Sequence, residues 1–227
     1  MGLNLVREYF NYNKLHRIGR LKNGMKEGEW QTYHYSTGGL AEISSWKDDE
    51  REGECKWYHE NGEFRRISFH KDGKLYGEFK EYHKNGKLKE VGFYKDGKRD
   101  GEWKLYWYTG KLKEVRSYKN GNLNGRKIYY KNGNIEEVRS YKDDNWDGEF
   151  KTYYKNGNLR ATESYKDNKQ EGEFKSYHEN GELRKIGSWK DGNREGEWKV
   201  YNNNGELKSL SLYKKGTLVE YKLISEI

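Results

Sequence analysis

Four histidines stand at one point of a recurring pattern: His34, His59, His83 and His178 each follow, by six residues, a glycine that opens a Gly-Glu motif. A row of imidazoles could bind a metal if the rings converged. Equivalent positions in neighbouring hairpins lie roughly 9–10 Å apart, whereas a shared ion needs metal–nitrogen distances of about 2 Å. The row is therefore expected to flank turns. Cys55, the single cysteine, sits in a slot that Trp or Phe fills in most copies. With no His or acidic partner at a nucleophile's spacing, it reads as a small buried substitute. The acidic pairs Asp48-Asp49 and Asp143-Asp144 offer carboxylates for calcium, but their spacing matches no EF-hand loop and both fall where other copies turn. No glycine-containing stretch precedes a helix whose N-terminus could hold phosphate. The expectation is a non-enzymatic chain with no catalytic residues, metal or cofactor.

What remains are apolar residues that break the pattern. Trp57 replaces the Thr, Glu or Ser of several copies, Leu105 does the same, and Trp107 stands where His is most frequent. These three share one expected face across the second to fourth repeats. Tyr108 and Trp146 depart further, Trp146 at a turn position that is usually polar. Clustered surface aromatics are typical partner anchors, so Trp57, Leu105, Trp107, Tyr108 and Trp146 form the candidate partner-binding group. The competing reading is that they fill local gaps in a ladder of stacked side chains.

The elements that carry these residues repeat. A Gly-Glu-aromatic motif occurs at Gly28, Gly77, Gly101, Gly148, Gly172 and Gly196, with variants at Gly53-Glu54-Cys55 and Gly125-Arg126-Lys127, in steps of 23 to 25 residues. A Tyr follows five residues on in most copies, from Tyr33 to Tyr201. Then comes Asn-Gly, as at Asn61-Gly62 and Asn180-Gly181, which suits a two-residue type I′ loop. A second strand runs from a Leu such as Leu88 to an aromatic such as Tyr94, and a second turn follows, such as Lys95-Asp96-Gly97. The expected fold is all-β: an elongated, single-layer antiparallel β-meander solenoid of about eight 24-residue hairpin repeats. About seventeen strands would extend on the order of 80 Å. Degenerate segments divide the chain into an N-terminal cap (1–19), a repeat solenoid (20–216) and a C-terminal capping strand (217–227). The apolar tail from Leu218 to Ile224 could serve as a homodimer edge.

Composition agrees with strands. Hydrophobic residues make up 32% and charged residues 36%, but aromatics at 16% supply half of the apolar inventory and Pro is absent. A lone cysteine leaves stability to packing and ladder hydrogen bonds, and no stretch approaches a membrane span. The chain reads as soluble and cytoplasmic. The net charge of +8 comes from 45 basic residues interleaved with 37 acidic ones, which makes nucleic acid or membrane the weaker choice of partner.

The run Tyr94-Lys95-Asp96-Gly97-Lys98-Arg99-Asp100-Gly101-Glu102-Trp103 resembles the MORN repeat, and the fuller unit resembles its bacterial variant in YwqK-type antitoxin-like proteins. The resemblance spans about residue 20 to 216 and implies binding of another molecule. From the family name it implies an antitoxin or immunity protein that occludes a cognate toxin. From MORN repeats elsewhere it implies a scaffold or assembly module, or an electrostatic binder of acidic membrane or nucleic acid.

Overall fold

The structure, a computed structural model, describes residues 2–10 and 14–224, and these contain strands and turns but no helix. The chain divides into two compact units, Met1–Leu112 with Tyr118–Gly121, and Lys113–Ser117 with Asn122–Ile227. In the first, β1 (Asn4–Tyr9), β2 (Leu15–Lys22), β3 (Met25–Tyr33), β4 (Leu40–Lys47), β5 (Glu50–Tyr58), β6 (Phe64–Lys71), β7 (Lys74–Tyr82), β8 (Leu88–Lys95) and β9 (Lys98–Tyr106) follow one another. Each is antiparallel to the one before. Residues of β10 (Leu112–Lys119) fall in both units. The second unit contains β11 (Asn122–Tyr129), β12 (Ile135–Lys142), β13 (Asn145–Tyr153) and β14 (Leu159–Lys166). There follow β15 (Lys169–Gln170) and β16 (Gly172–Tyr177), two parts of one strand interrupted at Glu171, then β17 (Leu183–Lys190), β18 (Asn193–Tyr201), β19 (Leu207–Lys214) and β20 (Thr217–Leu223). It too is an antiparallel meander. The twenty described strands exceed the expected seventeen because β1, β2 and the split strand add to the repeats. Residues 1 and 11–13 of the expected N-terminal cap, and 225–227 of the C-terminal one, lie outside the described residues.

The two-residue type I′ geometry expected at Asn-Gly lies at the other turn of the repeat. At Asn61-Gly62 only the glycine has positive φ, 86°. His59 N–H donates to Glu63 O and Gly62 N–H to His59 O, so the loop holds three residues, a type I turn followed by a left-handed glycine. The two-residue type I′ turn is instead the other connection: Asp96 and Gly97 have φ of 50° and 76° between paired Lys95 and Lys98. The Asn side chains of the longer loops bind repeats together, Asn61 Nδ2 donating to Lys84 O and Asn85 Nδ2 to Tyr108 O.

The motif glycine is explained by a bulge. Gly101 has φ of 70°, and the β8–β9 register shifts between Val91 and Phe93, opposite this point. Arg99 and Trp103, four residues apart on β9, share a face by simple alternation, with the guanidinium 4.1 Å from the indole centroid. On that face each tryptophan of the motif lies flat on a glycine eleven residues earlier: Trp30 on Gly19, Trp103 on Gly92 and Trp198 on Gly187. A Cβ on any of these glycines would stand 2.1 Å from the indole. Trp103 is fully enclosed and Trp198 nearly so, at 0% and 2% exposure. Where the aromatic is the smaller Phe79, the residue beneath is Ser68. A single-layer sheet thereby gains buried aromatic surface worth several kcal/mol per repeat, at about 25 cal/mol per Å². The opposite face carries ion pairs two residues apart along the strand, such as Lys80–Glu78 at 2.7 Å.

A candidate binding face

Across the tryptophan-bearing face of each unit runs one row of directly opposed residues. In the first unit it reads Arg17, Thr32, Glu42, Trp57, Arg66, Glu81, Glu90, Leu105. The second unit has a row of its own, from Ile128 and Glu137 through Thr152, Ala161, Ser176, Lys185 and Val200 to Ser209. The carboxylates of these rows are paired with basic side chains, Glu42 with Arg51 at 2.6 Å, Glu81 with Lys89 at 2.8 Å, Glu90 with Arg99 at 3.0 Å, and Glu137 with Arg139 of its own strand. Glu114, 3% exposed, accepts from Arg116 and Arg126 at 2.6 Å each. Burial acts to raise its pKa, but the two guanidiniums outweigh that and hold the carboxyl below its usual range.

Trp57 and Leu105 lie in the first unit's row, as their spacing suggests, with Arg66, Glu81 and Glu90 between them. Trp57 is only 6% exposed, held between Arg66 at 3.7 Å and Arg51 at 5.0 Å. Cys55, two residues before it on the same face, is fully buried. Trp107 sits off the strands in the β9–β10 loop, where its N–H donates to Lys111 O. Tyr108, in the same loop, is 59% exposed and packs edge-on against His83 at 5.4 Å. Trp146 belongs to the second unit, where it stacks on Phe150 at 6.0 Å, meets Tyr165 at 4.9 Å and lies under Arg139. The five residues thus occupy a buried slot, a row, a loop and a separate aromatic cluster. A search for unusually large residues also passes over Ala161 and Ser176, which depart from the row by being small.

The residues that could do chemistry have structural employment. Nε2 of His34, His59, His83 and His178 lies 3.0–3.2 Å from the carbonyl of Tyr58, Tyr82, Tyr106 and Tyr201 respectively, tying each loop to the next repeat. Tyr130 and Tyr154 make the same link with their hydroxyls. Asp48-Asp49 and Asp143-Asp144 are type I′ turns with all four φ positive. Asp49 Oδ1 accepts from Lys26 N–H at 2.7 Å and Asp144 Oδ1 from Leu123 N–H at 2.8 Å, which offsets the strain of a non-glycine left-handed residue. Burial pushes the Cys55 thiol pKa up. His70, 9% exposed beside Trp57, is driven down to about 4 by burial and by Arg51 and Arg66. Among the described residues no group of three His, Cys, Asp or Glu side chains is placed to hold a metal. No helix among them is long and apolar enough to cross a membrane.

No curated protein matches the chain in sequence. Among solved structures, a TcdB2–TccC3 crystal structure is similar at 11% identity and a TM-score of 0.24, over 92% of this chain and 14% of that one. A Photorhabdus luminescens Tc holotoxin pore is similar at 13% identity and a TM-score of 0.22, over 93% and 13%. A porin-like protein from Bacteroides uniformis shares 8% identity at a TM-score of 0.20, over 81% and 91%. The chain therefore spans about one seventh of the length of the first of these, and similarities this low carry no weight here. The model described as the MORN repeat variant matches seven consecutive segments, 51–72, 75–96, 99–120, 126–143, 146–167, 170–191 and 194–215. With seven copies matched and the hairpin pair repeating throughout the described strands, the chain belongs to the MORN repeat variant family.

Proposed function

We propose that this chain is a non-catalytic, protein-binding repeat module that presents its tryptophan-bearing face to a partner. The reading rests on that face: regular rows of side chains supply an extended surface in each unit, while the histidines, acidic pairs and cysteine are committed to turns and packing. Extended repeat surfaces suit large protein partners. The finer reading is a cytoplasmic antitoxin or immunity protein that covers a cognate toxin. A net charge of +8 favours steric cover over imitation of nucleic acid.

Affinity capture from native cells with mass spectrometry tests this reading. The expected result is one stoichiometric protein, lost when Leu105 and Tyr108 are replaced by Ser and Ala. Trp57 is left intact in that variant because it is buried. Recovery of nucleic acid or lipid alone would overturn the reading. A scaffold that self-associates through its terminal strands is the second reading. It is favoured by β20, all seven of whose residues are exposed and which include Leu218, Val219 and Tyr221. Concentration-dependent mass measured by light scattering, abolished by Val219→Pro, would support it.

A further inference from the structure

In the second unit the tryptophan-face row carries no acidic residue beyond Glu137. From Thr152 through Ala161, Ser176, Lys185 and Val200 to Ser209, the only charge is Lys185. Burial, and after it the positive charges of Arg194 and Arg184, hold the Lys185 ammonium's pKa below its ordinary value. Its ammonium lies 4.8 Å from the Trp198 ring centroid, with the Arg194 guanidinium 5.0 Å from the same ring.

Beside this cation the surface is hollow. Ala161 and Ser176 face each other directly, where the equivalent pair beside Phe79 is Arg66 and Glu81. Phe79 is consequently buried, at 7% exposure, while Phe174 in the same slot remains half-buried. The result is a depression of about 410 Å³ whose lining joins the apolar Phe174 and Val200 to the cations Arg160, Arg184 and Lys185. No carboxylate lines it.

We infer that this depression is a docking groove for an acidic, apolar-anchored segment of a partner protein, with an apolar side chain over Phe174 and a carboxylate at Lys185. The inference rests on the protein-binding reading above and specifies the chemistry of the bound segment. Charge complementarity selects the occupant. The rows elsewhere bear glutamates already paired with basic side chains, whereas Lys185 and Arg194 both lie over the Trp198 ring and no carboxylate lines the depression beside them. Desolvated against that apolar lining, an ion pair is worth more than the exposed pairs of the opposite face.

The test uses the full chain and a fluorescein-labelled peptide, acetyl-Glu-Glu-Leu-Phe-Glu-Glu-amide, followed by fluorescence anisotropy. Binding is expected, with affinity at least tenfold weaker for Ala161→Glu and for Lys185→Glu. It should also be absent for the peptide with Lys in place of Glu. Ala161→Glu should fold normally, since Glu occupies the same position at Glu42, Glu90, Glu114 and Glu137, and an unchanged melting temperature verifies this. Failure of the acidic peptide to bind, or equal binding by Ala161→Glu, overturns the inference. So does a single-stranded oligonucleotide that binds more tightly and is lost with the same substitutions, since that marks a general polyanion site. A cellular partner captured equally by the native chain and Ala161→Glu leaves the protein-binding reading standing and removes the groove from it.

Discussion

Replacing Gly92 by Ala adds one methyl group in a sheet and should cost more than most core truncations of that size. The new Cβ would stand 2.1 Å from Cδ2 of Trp103, where ordinary contact begins at 3.4 Å, so the indole must retreat by about 1.3 Å. It has little room to do so, with Phe79 at 5.4 Å, Tyr94 at 4.9 Å and Arg99 at 4.1 Å around it. If the shift uncovers a third of the roughly 250 Å² a tryptophan buries, the loss is about 2 kcal/mol. Loosened ring contacts add about 1 kcal/mol. The stiffer unfolded chain returns about 0.4–1 kcal/mol. The expected net destabilisation is about 2–3 kcal/mol, read from urea unfolding by circular dichroism. Trp103→Phe should partly rescue it, because Phe79 sits comfortably over Ser68 in the same arrangement. The double-mutant cycle should show at least about 1 kcal/mol of favourable coupling. A Gly92→Ala change within about 0.5 kcal/mol of native, or additive single effects, would refute the stacking account.

Four further outcomes are expected. His70 has a folded pKa of about 4 against an ordinary 6.5, so between those values the unfolded chain binds a proton that the folded one refuses. Stability is therefore complete above about pH 6.5 and falls as pH drops toward 4, by up to about 3 kcal/mol. His70→Gln should flatten that part of a melting-temperature profile. Cys55 should resist Ellman's reagent in the native state and react only on unfolding, and rapid labelling of folded protein would contradict its burial. Asp49→Ala removes the bond to Lys26 N–H while keeping a left-handed residue, and should cost about 1–2 kcal/mol by thermal denaturation. Millimolar calcium should leave the native melting temperature unchanged, as a shift would revive the metal reading of Asp48-Asp49.

The hairpin period was legible because the motif glycine, the strand-ending Tyr and the turn residues recur at nearly fixed spacing, and each has a backbone reason to do so. The turn types were not, since Asn-Gly serves both a two-residue loop and the end of a three-residue one. A discriminating signal lay in the other connection. Asp48-Asp49, Asp143-Asp144 and Asp167-Asn168 put Asx residues at both central positions, as a turn with two positive φ values requires. Trp57 looked like an anchor because only its departure from the repeat was visible. Its burial comes from Arg51 and Arg66 closing over the indole, contacts that one-dimensional spacing does not reveal. The groove escaped for a related reason: Ala161 and Ser176 are unremarkable singly, and only their opposition across β14 and β16 makes a hollow.

The flat seating of each indole on a glycine eleven residues upstream also sets the reading frame in which such a chain can grow. Gly92 and Trp103 lie on either side of the Asp96-Gly97 turn, so a duplication or deletion with its breakpoints there would marry each tryptophan to a stranger's floor. Breakpoints in the longer Asn-Gly loops keep floor and indole in one cassette. Lengthening or shortening the array, by recombination or by design, should therefore succeed in the frame that starts on the Leu-bearing strand and fail in the frame that starts on the glycine-bearing one.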